Sequence, residues 1–123
     1  MMLLFLSLLF AQPSITASDA WVSEAAAGGT AVVGLTLTNP TMYDIYVVTA
    51  TSDAAGKIEL RDGDKAVKHI TVPSFGFAEL TAGGPHVVLM DLKSALKAGE
   101  TVTLTLETDG GVTVVTTAVV KAR

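Results

Sequence analysis

Polar and apolar residues alternate over short stretches along most of the chain, which is the pattern of β-strands that bury one face. The clearest example lies in residues 101–106. Val102, Leu104 and Leu106 would face a core there, and the three intervening threonines would face solvent. Residues 33–38 alternate in the same way. After residue 14 the chain is rich in Val, Thr and Ile, whose branched side chains favour strands over helices.

Clusters of Gly, Pro, Asn and Asp separate these stretches and predict an all-β domain. Nine strands are predicted, at Ile15–Val22, Ala31–Asn39, Ile45–Ser52, Lys57–Arg61, Ala66–Val72, Gly76–Leu80, His86–Met90, Thr101–Glu107 and Val112–Lys121. Asp109-Gly110-Gly111 is the predicted hairpin turn between the last two strands. Leu92–Gly99 could form a helical turn but is too short for a stable helix. This spacing favours a β-sandwich or a barrel.

Length and charge limit the possible functions. The 123 residues fit one domain, and 8 Lys+Arg against 12 Asp+Glu give a net charge of −4, so nucleic acid is not an expected partner. The absence of cysteine excludes disulfides, thiolate metal sites and a cysteine nucleophile. The soft metal ligands that remain are Met and His.

The N-terminal residues 1–11 are almost wholly apolar. That length is too short to cross a membrane and matches the hydrophobic region of a secretory signal peptide. We predict cleavage after Ala11 rather than Ala17, because Ile15–Val22 already has the pattern of a folded strand, and a mature domain at 12–123. The alternative is a buried N-terminal strand or a short anchor. No other stretch is long enough to span a membrane.

Five segments of the chain form a recognisable pattern when they are taken in order: Ser18–Val22, Leu35–Asn39, Ala54–Leu60, Gly83–Lys93 and Leu96–Val102. Together they resemble the periplasmic copper chaperones of the PCu(A)C type. The resemblance covers nearly the whole predicted mature chain. It implies a cupredoxin-like Greek-key β-sandwich, a periplasmic or otherwise exported location, and binding of Cu(I). It also implies delivery of copper to the copper centre of a respiratory oxidase or to its assembly factors.

The family's ligand pattern is only partly present. Where the family has its first His, this chain has Arg61, whose guanidinium has no lone pair for a metal. The hairpin between Arg61 and Ile70 is shorter than in the family and contains no Met. His86 matches the family's second His. Val88 replaces the Met of the family's His-x-Met pair, and Met90 matches a second family Met two residues later.

Two further residues are candidates to complete the site. Met90 shares a strand face with His86, although it could instead be a core methionine. His69 has no counterpart in the family and lies close in sequence to the shortened hairpin, so it is either a substitute ligand or a solvated His at a strand end. The predicted Cu(I) ligands are therefore His86, Met90 and His69, since imidazoles and thioethers suit this soft ion.

Three aromatic residues complete the sequence-based predictions. Trp21 is predicted to pack in the core or on the sheet. Phe75 and Phe77 flank Gly76 on one strand face, where they would form either an exposed patch for a partner or part of the core.

Two functions are consistent with these residues. The first is copper trafficking by a domain with a reduced ligand set. The second is a non-metal interaction domain that has kept the fold and lost copper binding. An enzyme is not predicted, because the sequence contains no nucleophile with an oriented base and no catalytic motif.

Overall fold

The computed structural model describes residues 14–122, and within this range the chain is built from β-strands without a helix. The predicted signal peptide at residues 1–11 lies outside the described residues. The ten strands are β1 (Thr16–Ser23), β2 (Ala31–Asn39), β3 (Ile45–Thr51), β4 (Ala55–Asp62), β5 (Lys65–Ala66), β6 (Ile70–Val72), β7 (Gly76–Leu80), β8 (Pro85–Leu92), β9 (Thr101–Thr108) and β10 (Thr113–Lys121). The all-β prediction is confirmed.

The strands form one continuous, curled sheet. Its order is β5-β4-β8-β2-β1-β10-β9-β3-β6, and β7 also pairs with β2. Strand β1 runs parallel to β10, and the other neighbouring strands are antiparallel. Along β2, residues 31–33 pair with β8 and residues 35–39 pair with β7. Strands β7 and β8 therefore lie end to end beside β2.

The predicted alternation places the core. In β9, Val102, Leu104 and Leu106 are buried and join one hydrophobic cluster, whereas Thr101 and Thr103 are exposed. The predicted hairpin between β9 and β10 is also confirmed by the antiparallel pairing of these strands across residues 109–112. Leucines and valines from most strands of the sheet make up the rest of this hydrophobic cluster.

One predicted strand was wrong. The predicted strand Ala66–Val72 is two short strands, because β5 forms a hairpin with the end of β4 and the chain then crosses to β3. Val67 N donates to Leu60 O before the crossing. The possible helical turn at Leu92–Gly99 is absent from the described residues. Leu96 instead forms a β-bridge with Ala25.

Candidate metal site

His86 lies within a row of four residues that crosses strands β4, β8, β2 and β1. Arg61 of β4 is directly opposite His86. Trp21 of β1 is directly opposite Gly34 of β2. The β2–β8 register, continued by one residue beyond its last pair, brings Gly34 beside His86. We call Arg61, His86, Gly34 and Trp21 the cross-sheet row.

This row lies on the face of the sheet that points away from the core, which we call the outer face. Each of its members is next in sequence to a buried core residue. These core neighbours are Leu60, Val87, Val33 and Val22. Because successive strand residues point to opposite faces, the side chains of the row must point outward.

Trp21 covers the row at the β1 end. A Cβ added to Gly34 would lie 2.4 Å from Cε2 and Cζ2 of Trp21, so the indole rests directly on the Gly34 backbone. Only glycine leaves room for this contact. Trp21 is half-buried and packs on the sheet, as predicted, but on its outer face.

The His86 ring is held by the backbone. Its Nδ1 lies 2.9 Å from Gly84 O, and only 4% of the residue is exposed. A carbonyl oxygen only accepts, so Nδ1 carries the proton and Nε2 keeps its lone pair in the neutral ring. Nε2 has no partner in the described region, and this region holds no fully buried side-chain nitrogen or oxygen without one. Nε2 is therefore not completely enclosed, although His86 as a whole is buried.

Arg61 forms an ion pair on the other side of His86. Its Nε donates to Glu59 Oε1 at 2.7 Å, with about a third of the Arg61 side chain and a quarter of the Glu59 side chain exposed. A partly exposed pair of this kind contributes at most about 1 kcal/mol to stability. Its main effect is electrostatic, because it holds the positive charge of Arg61 beside the imidazole of His86.

Val88 and Met90 follow His86 on the outer face of β8. Val88 is buried and supplies no donor atom to a metal. Met90 is partly buried and lies opposite Lys57 of β4. Four residues of strand separate the Cα atoms of His86 and Met90 by about 13 Å. The two soft donors share a face but are not adjacent.

His69 lies on a different pair of strands. It is exposed just before β6, and its ring packs edge-on against Tyr46 of β3, with the ring centroids 5.1 Å apart. Val48, Lys68 and Asp109 line the same shallow depression. The structure thus places His86 and Met90 on one face and His69 beside Tyr46. The three-ligand set stays a prediction. Residues 14–122 contain no cluster of three His, Asp or Glu suited to a metal ion.

Sequence reasoning did not identify the cross-sheet row. The contact between Trp21 and Gly34 depends on the pairing of two strands, which a single sequence does not reveal. One signal was available. Val22 and Val87 each fit the core pattern, so Trp21 and His86 could have been assigned to the outer face from alternation alone.

In the described part of the chain, no helix is long and apolar enough to cross a membrane.

Comparison with known proteins places the chain in a family. The model of the family described as "Putative lipoprotein LpqE-like" matches residues 15–120. A protein of Leifsonia xyli subsp. xyli named "Putative lipoprotein" is 32% identical over 108 residues. That match covers 80% of this chain and 64% of the relative, so the chain spans just under two thirds of that protein's length.

Solved structures share the fold. The copper-bound PCuAC domain from PmoF2 has a TM-score of 0.81 at 19% identity, covering 93% of this chain and 97% of that one. The CuI form of DR1885 from Deinococcus radiodurans has a TM-score of 0.72 at 32% identity, covering 91% of this chain and 80% of that one. The predicted cupredoxin-like fold is confirmed. The chain belongs to the LpqE-like family of PCuAC-type copper chaperone domains.

Proposed function

We propose that this chain binds Cu(I) at His86 and passes it to an acceptor protein. The observation that carries the proposal is the hydrogen bond between His86 Nδ1 and Gly84 O. It fixes the tautomer, so that Nε2 keeps its lone pair for a metal ion. Metal-binding histidines commonly have their other ring nitrogen held in this way by a carbonyl group.

The ligand chemistry suits a cargo ion. Imidazole and thioether ligands bind copper without a thiolate, and the chain contains no cysteine. His86 is the anchor of the site in this proposal. Met90 is the second soft donor on the outer face of β8, and His69 is a third candidate from another strand pair. A site with one well-placed imidazole holds copper weakly and leaves coordination positions open to an acceptor.

The resemblance to the PCuAC family supports the destination and the location. We propose an exported protein with residues 1–11 as its signal peptide and a mature domain at 12–123. The copper centre of a respiratory oxidase, or an assembly factor of that centre, is the proposed acceptor. The LpqE-like family description and the Leifsonia relative both carry the word lipoprotein, which supports export.

An anaerobic competition titration with a chromophoric Cu(I) chelator tests this proposal. The chain starting at Gln12 is expected to bind one Cu(I), and His86→Ala is expected to abolish binding. Met90→Leu and His69→Ala then show which second donor contributes, since each loses affinity only if its side chain is a ligand. Unchanged binding in His86→Ala would overturn the assignment.

The Arg61–Glu59 ion pair favours a second function. It places a fixed cation where the family has an imidazole, which opposes a metal ion at this position. The alternative is a non-metal interaction domain that has kept the fold. Failure of the wild-type chain to bind Cu(I) in the same titration would favour this alternative.

A further inference from the structure

Four large apolar side chains are exposed together near the ends of β2 and β7. Met42 is 64% exposed, Tyr43 70%, Phe75 73% and Phe77 60%. We call these four residues the apolar tip. Single exposed apolar residues are ordinary, whereas a contiguous group of large ones marks an interaction surface. The sequence left open whether Phe75 and Phe77 are exposed or part of the core, and the structure shows that both are exposed.

Two loops are tied together to form the tip. Phe75 N donates to Thr41 O at 2.9 Å, and Ser74 N donates to Asp44 Oδ1 at 3.0 Å. These bonds join the β2–β3 loop to the β6–β7 turn. Met42 and Tyr43 are therefore held beside Phe75, although more than thirty residues separate them in sequence.

The buried amide of Asn39 makes this arrangement rigid. Only 1% of Asn39 is exposed, and its Nδ2 donates to Tyr43 O and to Val72 O. Its Oδ1 accepts from both N and Oγ1 of Thr41. The tip is therefore organised before any partner binds, which lowers the entropy lost on association.

Phe75 is held outward by an unfavourable backbone conformation. Its φ angle is +52°, in the left-handed region that residues with a side chain seldom adopt. This conformation costs about 1–2 kcal/mol. Strain of this kind concentrates at functional sites, and here it coincides with the most exposed aromatic ring of the tip.

The tip adjoins the proposed copper site. Phe77 is directly opposite Thr38 of β2, and Thr38 lies on the outer face four residues beyond Gly34. The distance along β2 is about 13 Å. A protein seated on Phe77 would therefore extend over the cross-sheet row and its His86.

The charges around the tip select the type of partner. Asp44 and Glu79 are the only charged residues in segments 38–44 and 73–80. Asp19 lines the same depression as Glu79. Lys121 is the only basic residue among those that line it. An anionic bilayer would be repelled by this rim, and a second copy would place one acidic rim against another.

We propose that the apolar tip docks a protein partner whose surface has an apolar centre and a rim of Lys and Arg. Such a surface complements both the aromatic side chains and the acidic rim. The inference rests on the proposed function in one respect, because it makes this partner the copper acceptor.

Photo-crosslinking in the cells that produce the chain tests this inference. A benzoylphenylalanine replaces Phe75 in one variant and Val115 in the control, because Val115 is comparably exposed on β10. The Phe75 variant is expected to form an adduct with one protein, absent from the control. The adduct is identified by mass spectrometry, and that protein is then purified.

Binding of the purified partner completes the test. Phe75→Ser and Phe77→Ser are each expected to weaken binding at least about tenfold, and Glu79→Lys and added salt to weaken it as well. Docking is measured with the copper-free wild-type chain, so failure of copper binding and failure of docking are separate results. Adducts with lipid, with a second copy, or at the control level would overturn the inference. A partner whose affinity is unchanged by these substitutions would also overturn it.

Discussion

Arg61 lies directly opposite His86 on the paired strands β4 and β8, and its Nε donates to Glu59. Side chains opposite each other on antiparallel strands have Cβ atoms about 5 Å apart. The resemblance to PCuAC domains implies an imidazole at the Arg61 position. This chain therefore has a cation where the resemblance implies a metal ligand, and the hydrogen bond to Glu59 holds that cation along β4.

Arg61→His is expected to strengthen Cu(I) binding. It removes the cation and places a second imidazole within reach of a metal bound at His86, so the affinity should rise at least about tenfold, or about 1.4 kcal/mol. Anaerobic competition titration measures the change. Arg61→Gln is the matched control, because it removes the charge without adding a nitrogen ligand. Equal affinities in the two variants would show that only the charge matters.

Trp21 is expected to report metal binding at His86. It is the single tryptophan of the chain, and its indole rests on Gly34 beside His86. Stepwise addition of Cu(I), or of the redox-inert Ag(I), should change the Trp21 emission until one equivalent is bound. His86→Ala should show no saturable change, whereas His69→Ala should respond like the wild type if His69 is not a ligand. A full response in His86→Ala would place the metal elsewhere.

Gly34→Ala is expected to destabilise the domain. The added Cβ would lie 2.4 Å from the indole of Trp21, so the ring must move off the sheet. Overpacking of this kind costs about 1–3 kcal/mol, which urea unfolding can measure. Gly83→Ala is the control, because nothing lies within 4 Å of its added Cβ. Similar free energies of unfolding for both variants would contradict the packing of Trp21 on Gly34.

Asn39→Ala is expected to loosen the apolar tip and lower stability. It leaves Val72 O and Tyr43 O without the donor that Nδ2 provides. Tyr43 O still accepts from Thr41 Oγ1, so the group left unpaired is the buried Val72 O. An unpaired buried group costs about 1–3 kcal/mol, and the free energy of unfolding should fall by about that amount. Hydrogen exchange of the amide of Phe75 should accelerate. Thr38→Ala, at an exposed neighbouring position, removes no buried hydrogen bond, so it should lower the free energy of unfolding by less than about 1 kcal/mol and leave the exchange of the Phe75 amide unchanged.

The alternation of apolar residues was sufficient to predict most strands and the core. It worked in β9 because every second residue there faces one continuous core. It failed at Ala66–Val72, because apolar content does not show that a chain leaves one partner strand for another. The same crossing separates His69 from β4, which proximity in sequence to the shortened hairpin did not indicate.

The candidate ligands come from the sequence, whereas their arrangement does not. The resemblance points to His86 as a ligand and to Arg61 and Val88 as departures from the family pattern, and these assignments stay predictions. The neighbours of His86 depend on the register of strands that are far apart in sequence, as for Gly34 and Trp21. The register of paired strands depends on the packing of the whole sheet, so no single segment of sequence determines it.

Nitrogen-15 NMR of the histidine side chains, recorded before and after one equivalent of Cu(I), tests the central claim most directly. It observes each ring nitrogen of His86 and His69 separately. If copper binds at His86, the His86 Nε2 signal shifts strongly while Nδ1 keeps its proton and its hydrogen bond to Gly84. A shift confined to His69, or no shift of either ring, would contradict copper binding at His86.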